Sequence, residues 1–349
     1  MRLNATLALA TALAFSAPAS AAEPQPLTQI AFGSCADQRE PQLIWDAVLA
    51  YRPELFLFAG DNVYGDVPNA PDLKALQAAY AQTKVIDGLQ QLRREVPHLA
   101  TWDDHDYGRN DGGADFPMKA EAQALFLDFW QAPADDPRRT REGVYTARTF
   151  GPAGQRVQVI LLDTRSFRST LRPTDQRNAP GKERYLPDDD PSKTVLGEAQ
   201  WAWLAEELRK PAELRLILSS IQALAEGHGW ERWGNLPRER QRLLDTIRDT
   251  AAAGVVLLSG DRHIAGLYEA AEGAPYPLVE ITSSGINKFW PAPSDLQGNR
   301  IGGAYGRENF GTVDIDWWER EVRLAVRGMN GEVVRERRVR MDALKPATS

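Results

Sequence analysis

ELFLFAGDNVYGD, residues 54–66, runs through five apolar side chains and then turns abruptly into acid. The apolar run reads as a strand, and Asp61 stands just beyond its end. The same arrangement recurs along the chain. TQIAFGSC (28–35) finishes at Cys35, RVQVILLDTR (156–165) at Asp163, GVVLLSGDRH (254–263) at Asp261 and His263, and YPLVEITSS (276–284) near Ser283. HLATWDDHD (98–106) is the most acidic case, with Asp103, Asp104, His105 and Asp106 in a row. LRLILSS (214–220) adds another strand, and FGTVDIDWW, EVRLAVRG and EVVRERRV make the last part strand-rich. Between the runs lie helix-period segments at 41–51, 73–83, 118–131, 196–210 and 237–253. Such alternation predicts an α/β architecture of sheets covered by helices.

Composition narrows the class further. The chain has 349 residues, 43% apolar, with ten tryptophans, ample for a large core and too apolar for a disordered protein. Its formal charge of −7 argues against a nucleic-acid partner. MRLNATLALATALAFSAPASAAEPQ has one early Arg, an apolar run from Leu7 to Phe15 and an Ala19-Ser20-Ala21 site, which reads as a secretory signal over 1–21. No stretch reaches transmembrane length. We therefore expect a periplasmic or secreted protein with a single domain over 22–349. Cys35 is the only cysteine, so no intramolecular disulfide can form, and a lone thiol in an exported chain is buried, reactive or held by a metal. The long connections 132–142 and 168–195, together with 225–235, are expected to rim a site and set its specificity.

In open α/β sheets, ligands bind beyond the carboxyl ends of the strands, so the acids at these ends are expected to converge. A cleft that crowded with carboxylates needs cations. Oxygen-rich sites favour calcium, magnesium or manganese, whereas Cys35 and Tyr64 suit iron or zinc better. A two-metal site with one softer and one harder ion accommodates both. Read singly, Asp61, Asp104 and His263 serve equally as turn formers, a helix cap and a buried histidine.

Six motifs, AFGSC, AGDNVYGD, WDDHDYGRND, LLDTR, LGEAQWAWL and LSGDRH, in this order, resemble the alkaline phosphatase D (PhoD-like) group of calcineurin-like metallophosphatases over roughly residues 28 to 290. The resemblance implies two packed mixed β-sheets flanked by helices, a four-layer α/β/β/α sandwich. It implies a dinuclear or larger centre, Fe3+ with Ca2+, Mn2+ or Zn2+ being alternatives. It also implies small phosphate-ester substrates, monoesters or diesters, attacked in line by a metal-bound hydroxide. By this resemblance Asp61 bridges the metals, Cys35 and Tyr64 ligate the iron, Asp104 ligates the second metal, and Asp261 and His263 supply one ligand to each. His105 then stabilises or protonates the leaving oxygen.

Arg165 and Arg262 are expected at the substrate phosphate, with a salt bridge to Asp163 or Asp104 as the competing reading. Asp103, Asp106 and Asp111 are expected to cap the following helix or pair with Arg109. Where the superfamily carries a histidine after LILSS, only Ser220 or Gln222 is present. His98 is read as structural, His228 as a surface-loop residue, and Trp201 and Trp203 as architecture on different helix faces. The leader lacks a twin-arginine pair, and the N-terminal β-domain of longer relatives is expected to be missing. Two rival functions stay open: a phospholipase-type phosphodiesterase in the same cleft, and a non-catalytic calcium-binding module.

Overall fold

The computed structural model describes residues 25–67, 72–291, 293 and 295–346; the expected signal at 1–21 lies outside them. The first half runs β1 (Gln29–Gly33), α1 (Trp45–Tyr51), β2 (Leu55–Ala59), α2 (Lys74–Thr83), α3 (Asp87–Glu95), β3 (His98–Thr101), α4 (Asp104–Tyr107), α5 (Lys119–Phe129), β4 (Thr146–Phe150) and β5 (Val157–Leu161). A short hairpin, β6 (Arg172–Pro173) and β7 (Tyr185–Leu186), leads into α6 (Gly197–Arg209), β8 (Leu214–Ser219), α7 (Pro237–Asp249) and β9 (Val255–Ser259). The chain ends in β10 (Ala265–Ala270), β11 (Leu278–Ser283), β12 (Arg300–Tyr305), β13 (Phe310–Asp316), β14 (Glu321–Arg327) and β15 (Val333–Arg340).

Two large mixed sheets result, ordered β15-β14-β13-β1-β2-β3 and β12-β10-β11-β9-β8-β5-β4. The apolar runs β2, β5, β8 and β9 are buried at every residue, as parallel strands covered on both faces must be. Parallel register sets Ile30 beside Leu55, Leu57 beside Leu99 and Leu216 beside Val256. Alternation along a strand then sorts side chains between layers. Phe32, Leu55 and Leu57 join the core shared with β5, β8, β9 and the buried faces of α6 and α7. Their neighbours Ala31, Phe56 and Phe58 face the other way, toward Trp45, Leu89 and Phe126 of the helices covering the first sheet.

Some elements depart from the sequence pattern. The helix expected from Pro41 starts only at Trp45, after a turn. The tail of HLATWDDHD is not loop but a single helical turn, α4, capped by Asp103 and Asp106. Helix α3 and strands β4, β10 and β12 are additional. α3 buries only Leu89 and Leu92, and β4 has no fully buried residue, so their apolar signals are thin.

Candidate metal centre

The parallel strands β1, β2, β3 and β9 all discharge into one place. Cys35 (φ 62°), Asp61 (50°), Asp261 (66°) and His263 (55°) follow three of these ends in left-handed backbone, and Asp111 (51°), after α4, does the same. Each such non-glycine residue costs about 1–3 kcal/mol and persists only where its surroundings demand it. Two glycines let the strand ends close up. Gly60 (φ +91°) lies so near Asp103 that a Cβ would sit 2.5 Å from the Asp103 Cβ. A Cβ on Gly260 would sit 2.5 Å from Ser34 Oγ and 2.9 Å from the Ala59 carbonyl, so the end of the second sheet presses on the end of the first.

Asp61 is the hub. Its Oδ2 accepts from the Cys35 thiol at 3.3 Å and the Tyr64 hydroxyl at 3.1 Å, while Oδ1 accepts the His105 N–H at 3.3 Å. Ser284 Oγ lies 3.1 Å from Cys35 Sγ and accepts the His263 N–H at 2.7 Å. One ligand atom each from Cys35, Asp61 and His263 lie within 4.8 Å of one another, and so do atoms of Asp61, Asp104 and His105. Two further groups, Asp103–Asp104–Asp261 and Asp104–Asp111–Glu231, meet the same limit. Asp61 is therefore common to a thiol-histidine group and a carboxylate-histidine group.

Burial raises the Cys35 thiol to about 11 and pushes Asp61 and Tyr64 well above their ordinary ranges. Asp261 is raised by burial, with Asp103, Asp104 and Glu231 repelling its charge. Asp104 is the exception. Burial works against its charge, but His105 and Arg165 hold it below the usual carboxylate range. His105 is itself disfavoured as a cation by burial, yet Asp104, Asp61 and Asp66 bring it up to about 11. Burial lowers His263 to about 4, so its ring is neutral.

These features suit a cation. Asp104 Oδ1 is buried, with no hydrogen-bond partner among the described residues. His263 Nδ1 lies 2.9 Å from the Lys288 carbonyl, which fixes the N–H there and leaves Nε2 with a lone pair, the usual arrangement of a metal-binding imidazole. A metal would also ionise the thiol that burial keeps protonated.

Above this floor is a cleft of roughly 100 Å³, lined by Asp104, His105, Asp261, Arg262 and His263 together with Asn110, Asp111, Arg184, Trp230, Glu231 and Trp290. Trp290 stacks on His263, centroids 6.0 Å apart and planes 6° from parallel, and Trp230 meets Trp290 edge-on at 4.7 Å. His105 Nδ1 is 2.6 Å from Asp66 Oδ2.

Several expected residues lie elsewhere. Arg165 does not line the cleft: it is fully buried beneath the floor, paired with Asp103 at 2.5 Å and Glu231 at 2.6 Å rather than with Asp163 or Asp104. Arg262 reaches the cleft wall, but its guanidinium holds Asp295 at 2.8 and 3.0 Å. Asp163 turns inward to accept the N–H groups of Val144, Arg165 and Ser166. Ser283 donates to Asn309. Asp103 and Asp106 cap α4 as read, but Arg109 pairs with Asp115, and Asp111 instead accepts from Tyr185.

Ser220 donates to Asp103, and Gln222 bonds Thr282 and His228. His228 is buried, not on the surface. The 132–142 connection does not line the cleft, whereas the other two rim loops do. Trp201 packs edge-on against Trp233 while Trp203 lies against Tyr145, on separate faces as expected.

Asp66, Ser284, Glu231, Arg184, Trp230 and Trp290 were not singled out by sequence. Asp66 had a signal, five residues after Asp61 in the same motif. Ser284 directly follows β11, while Glu231, Arg184, Trp230 and Trp290 come from loops without periodicity.

Comparison with known proteins places the chain in a family. The profile of the PhoD-like phosphatases matches residues 30–308, and the chain belongs to that family. Alkaline phosphatase D of Bacillus subtilis (strain 168) is 23% identical over 242 residues. That match covers 62% of this chain and 40% of the relative, so the alignment spans well under half the relative's length. A solved structure of PhoD superposes with a TM-score of 0.71 at 17% identity, covering 95% of this chain and 73% of that one. GAP50, the anchor in the inner membrane complex of Plasmodium, shares the fold at a TM-score of 0.56 and 13% identity, covering 93% of this chain and 90% of that one. No helix among the described residues is long and apolar enough to cross a membrane.

Proposed function

We propose that this member of the PhoD-like phosphatase family is an exported metal-dependent phosphoesterase, one domain over residues 22–349, that hydrolyses phosphomonoesters, phosphodiesters or both. The observation that carries the reading is Asp61, a buried carboxylate shared by the Cys35–His263 and Asp104–His105 groups. Cys35, Tyr64, Asp61 and His263 would hold the softer ion, Fe3+ by family resemblance. Asp61, Asp104 and Asp261 would hold the harder one, Ca2+. When bound, the cations supply charge neutralisation at the phosphoryl oxygens and a water acidified toward neutral pH.

The chain's own residues do the rest. His105 donates its Nδ1 proton to Asp66, which orients the ring and leaves Nε2 to serve the leaving oxygen. Trp230 and Trp290 wall the cleft and limit water around the reacting phosphate. The left-handed backbone at Cys35, Asp61, Asp261 and His263 holds the donor atoms ready before substrate arrives.

Hydrolysis of p-nitrophenyl phosphate and bis-p-nitrophenyl phosphate, read with elemental analysis, tests this. Asp61→Asn and Asp104→Ala should lose at least about a thousandfold in kcat and part of the metal, with circular dichroism unchanged. His105→Gln should keep its metal and lose turnover; loss of metal would make His105 a ligand instead. A protein that holds calcium but cleaves no ester is the binding module. Turnover preserved in Asp61→Asn would sink the shared-carboxylate scheme.

A further inference from the structure

We propose that Arg184 reads the charge of the substrate phosphate and biases the cleft toward dianionic monoesters over monoanionic diesters, an assignment that rests on the phosphoesterase reading above. Four arginines lie at or below the centre, and three are spoken for. Arg168, 2% exposed, pairs with Glu231 at 2.9 Å. Arg165 has no exposed surface and is shared by Asp103 and Glu231. Arg262 is 3% exposed and held by both oxygens of Asp295. Arg184 keeps 32% of its side chain exposed in the cleft lining. Its one carboxylate contact is long, 3.4 Å to Asp111 Oδ2, an oxygen that already accepts from Tyr185 at 2.7 Å. Its Nε is buried, with no hydrogen-bond partner among the described residues. A guanidinium offers five N–H donors in a fixed fork, so most of this one's capacity is open.

The group is also held in place. The Arg184 N–H donates to Gly229 at 3.0 Å, its carbonyl accepts from Thr174 at 2.8 Å, and the Tyr185 N–H donates to Gly229 at 2.7 Å. These bonds stitch the β6–β7 hairpin to the loop that carries Trp230. The guanidinium carbon lies 5.3 Å from the Trp230 ring centre, a cation–aromatic contact that limits its rotamers.

The chemistry follows from the fork. A monoester near neutral pH carries close to two charges and three free oxygens, enough to engage a guanidinium bidentately while others face the floor. A diester has one charge and two free oxygens, and its second ester arm has to leave through the mouth where Arg184 and Trp230 stand. Removing Arg184 therefore costs the monoester more.

The test uses the metal-loaded enzyme and its Arg184→Ala and Arg184→Lys variants. On p-nitrophenyl phosphate, Arg184→Ala should lose about ten- to hundredfold in kcat/KM, mostly through KM, and no more than about threefold on bis-p-nitrophenyl phosphate. Arg184→Lys, which keeps the charge without the fork, should fall between. Inorganic phosphate, titrated calorimetrically, should bind Arg184→Ala more weakly by a factor similar to the monoester loss. Equal losses on both substrates, or unchanged phosphate affinity, overturns the Arg184 assignment and leaves the phosphoesterase standing. Wild-type enzyme inert to both esters overturns the phosphoesterase reading, and the phosphate titration then still decides whether Arg184 holds the anion.

Discussion

Asp103 and Asp104 are neighbours in the chain, yet they belong to two buried charge clusters of opposite character. Asp103 lies with Glu231, Arg165 and Arg168, two carboxylates against two guanidiniums, all at most 2% exposed and joined by contacts of 2.5 to 2.9 Å. That cluster is neutral from its own residues. Asp104 lies with Asp61, Asp111, Asp261, the Cys35 thiol and the Tyr64 hydroxyl; His105 stands among them as a cation, and Arg184 and Lys288 reach only the edge, at Asp111 and over the Tyr64 ring. The lower cluster pairs each carboxylate with a guanidinium; the upper one has more acids than cations. A protein that pairs its buried acids one turn away, and does not do so here, leaves the upper site suited to ions.

The sharpest way to break this contrast is to unbalance the lower cluster. Arg165→Ala strands the buried Asp103, leaves Glu231 to Arg168 alone, and should cost about 3–5 kcal/mol, seen as a fall in Tm on the order of 10 °C. A loss within 1 °C would mean that the pairing is not what makes the lower cluster tolerable. The second effect concerns the upper cluster. Stripping cations with a chelator should lower Tm by several degrees, since a site held at a hundred times Kd contributes about 2.7 kcal/mol. Readdition should restore it, and an unmoved Tm would erase the distinction between the clusters.

The smallest effect isolates burial without a countercharge. His98, at the head of β3 against Phe58 and Trp130, has its pKa lowered, chiefly by burial and also by Arg93, with the Val96 carbonyl opposing. The folded state thus favours the neutral ring. Stability is fully present above the unfolded value of 6.5 and is lost as pH falls through it. Between pH 7.5 and 5, Tm of the wild type should drop by about one or two degrees more than that of His98→Gln. Parallel curves would show that burial alone does not set the ring's charge.

The sheets were legible because β2, β5, β8 and β9 are unbroken apolar runs, and the cleft because acids follow their ends. What the pattern could not convey is direction. Asp163 follows its strand just as Asp61 does, yet it spends its oxygens on three local N–H groups and carries Arg165 inward with it. Nor could spacing reveal Arg184, Trp230 or Trp290, which reach the cleft from loops whose course is set by backbone bonds such as those to Gly229. Asp66 was readable in principle, but its role depends on the distance to His105, which no motif states.

Gly260 abuts Ser34 and Ala59, so the ends of the two sheets touch directly under the centre. Cys35, Asp61 and Asp104 come from one sheet, Asp261 and His263 from the other. Any ion gripped by both sets is also a rivet across that seam, and its affinity is counted in the adhesion of the two halves. A starved enzyme would then lose its clasp along with its chemistry, and its lifetime would report on the mineral supply around it.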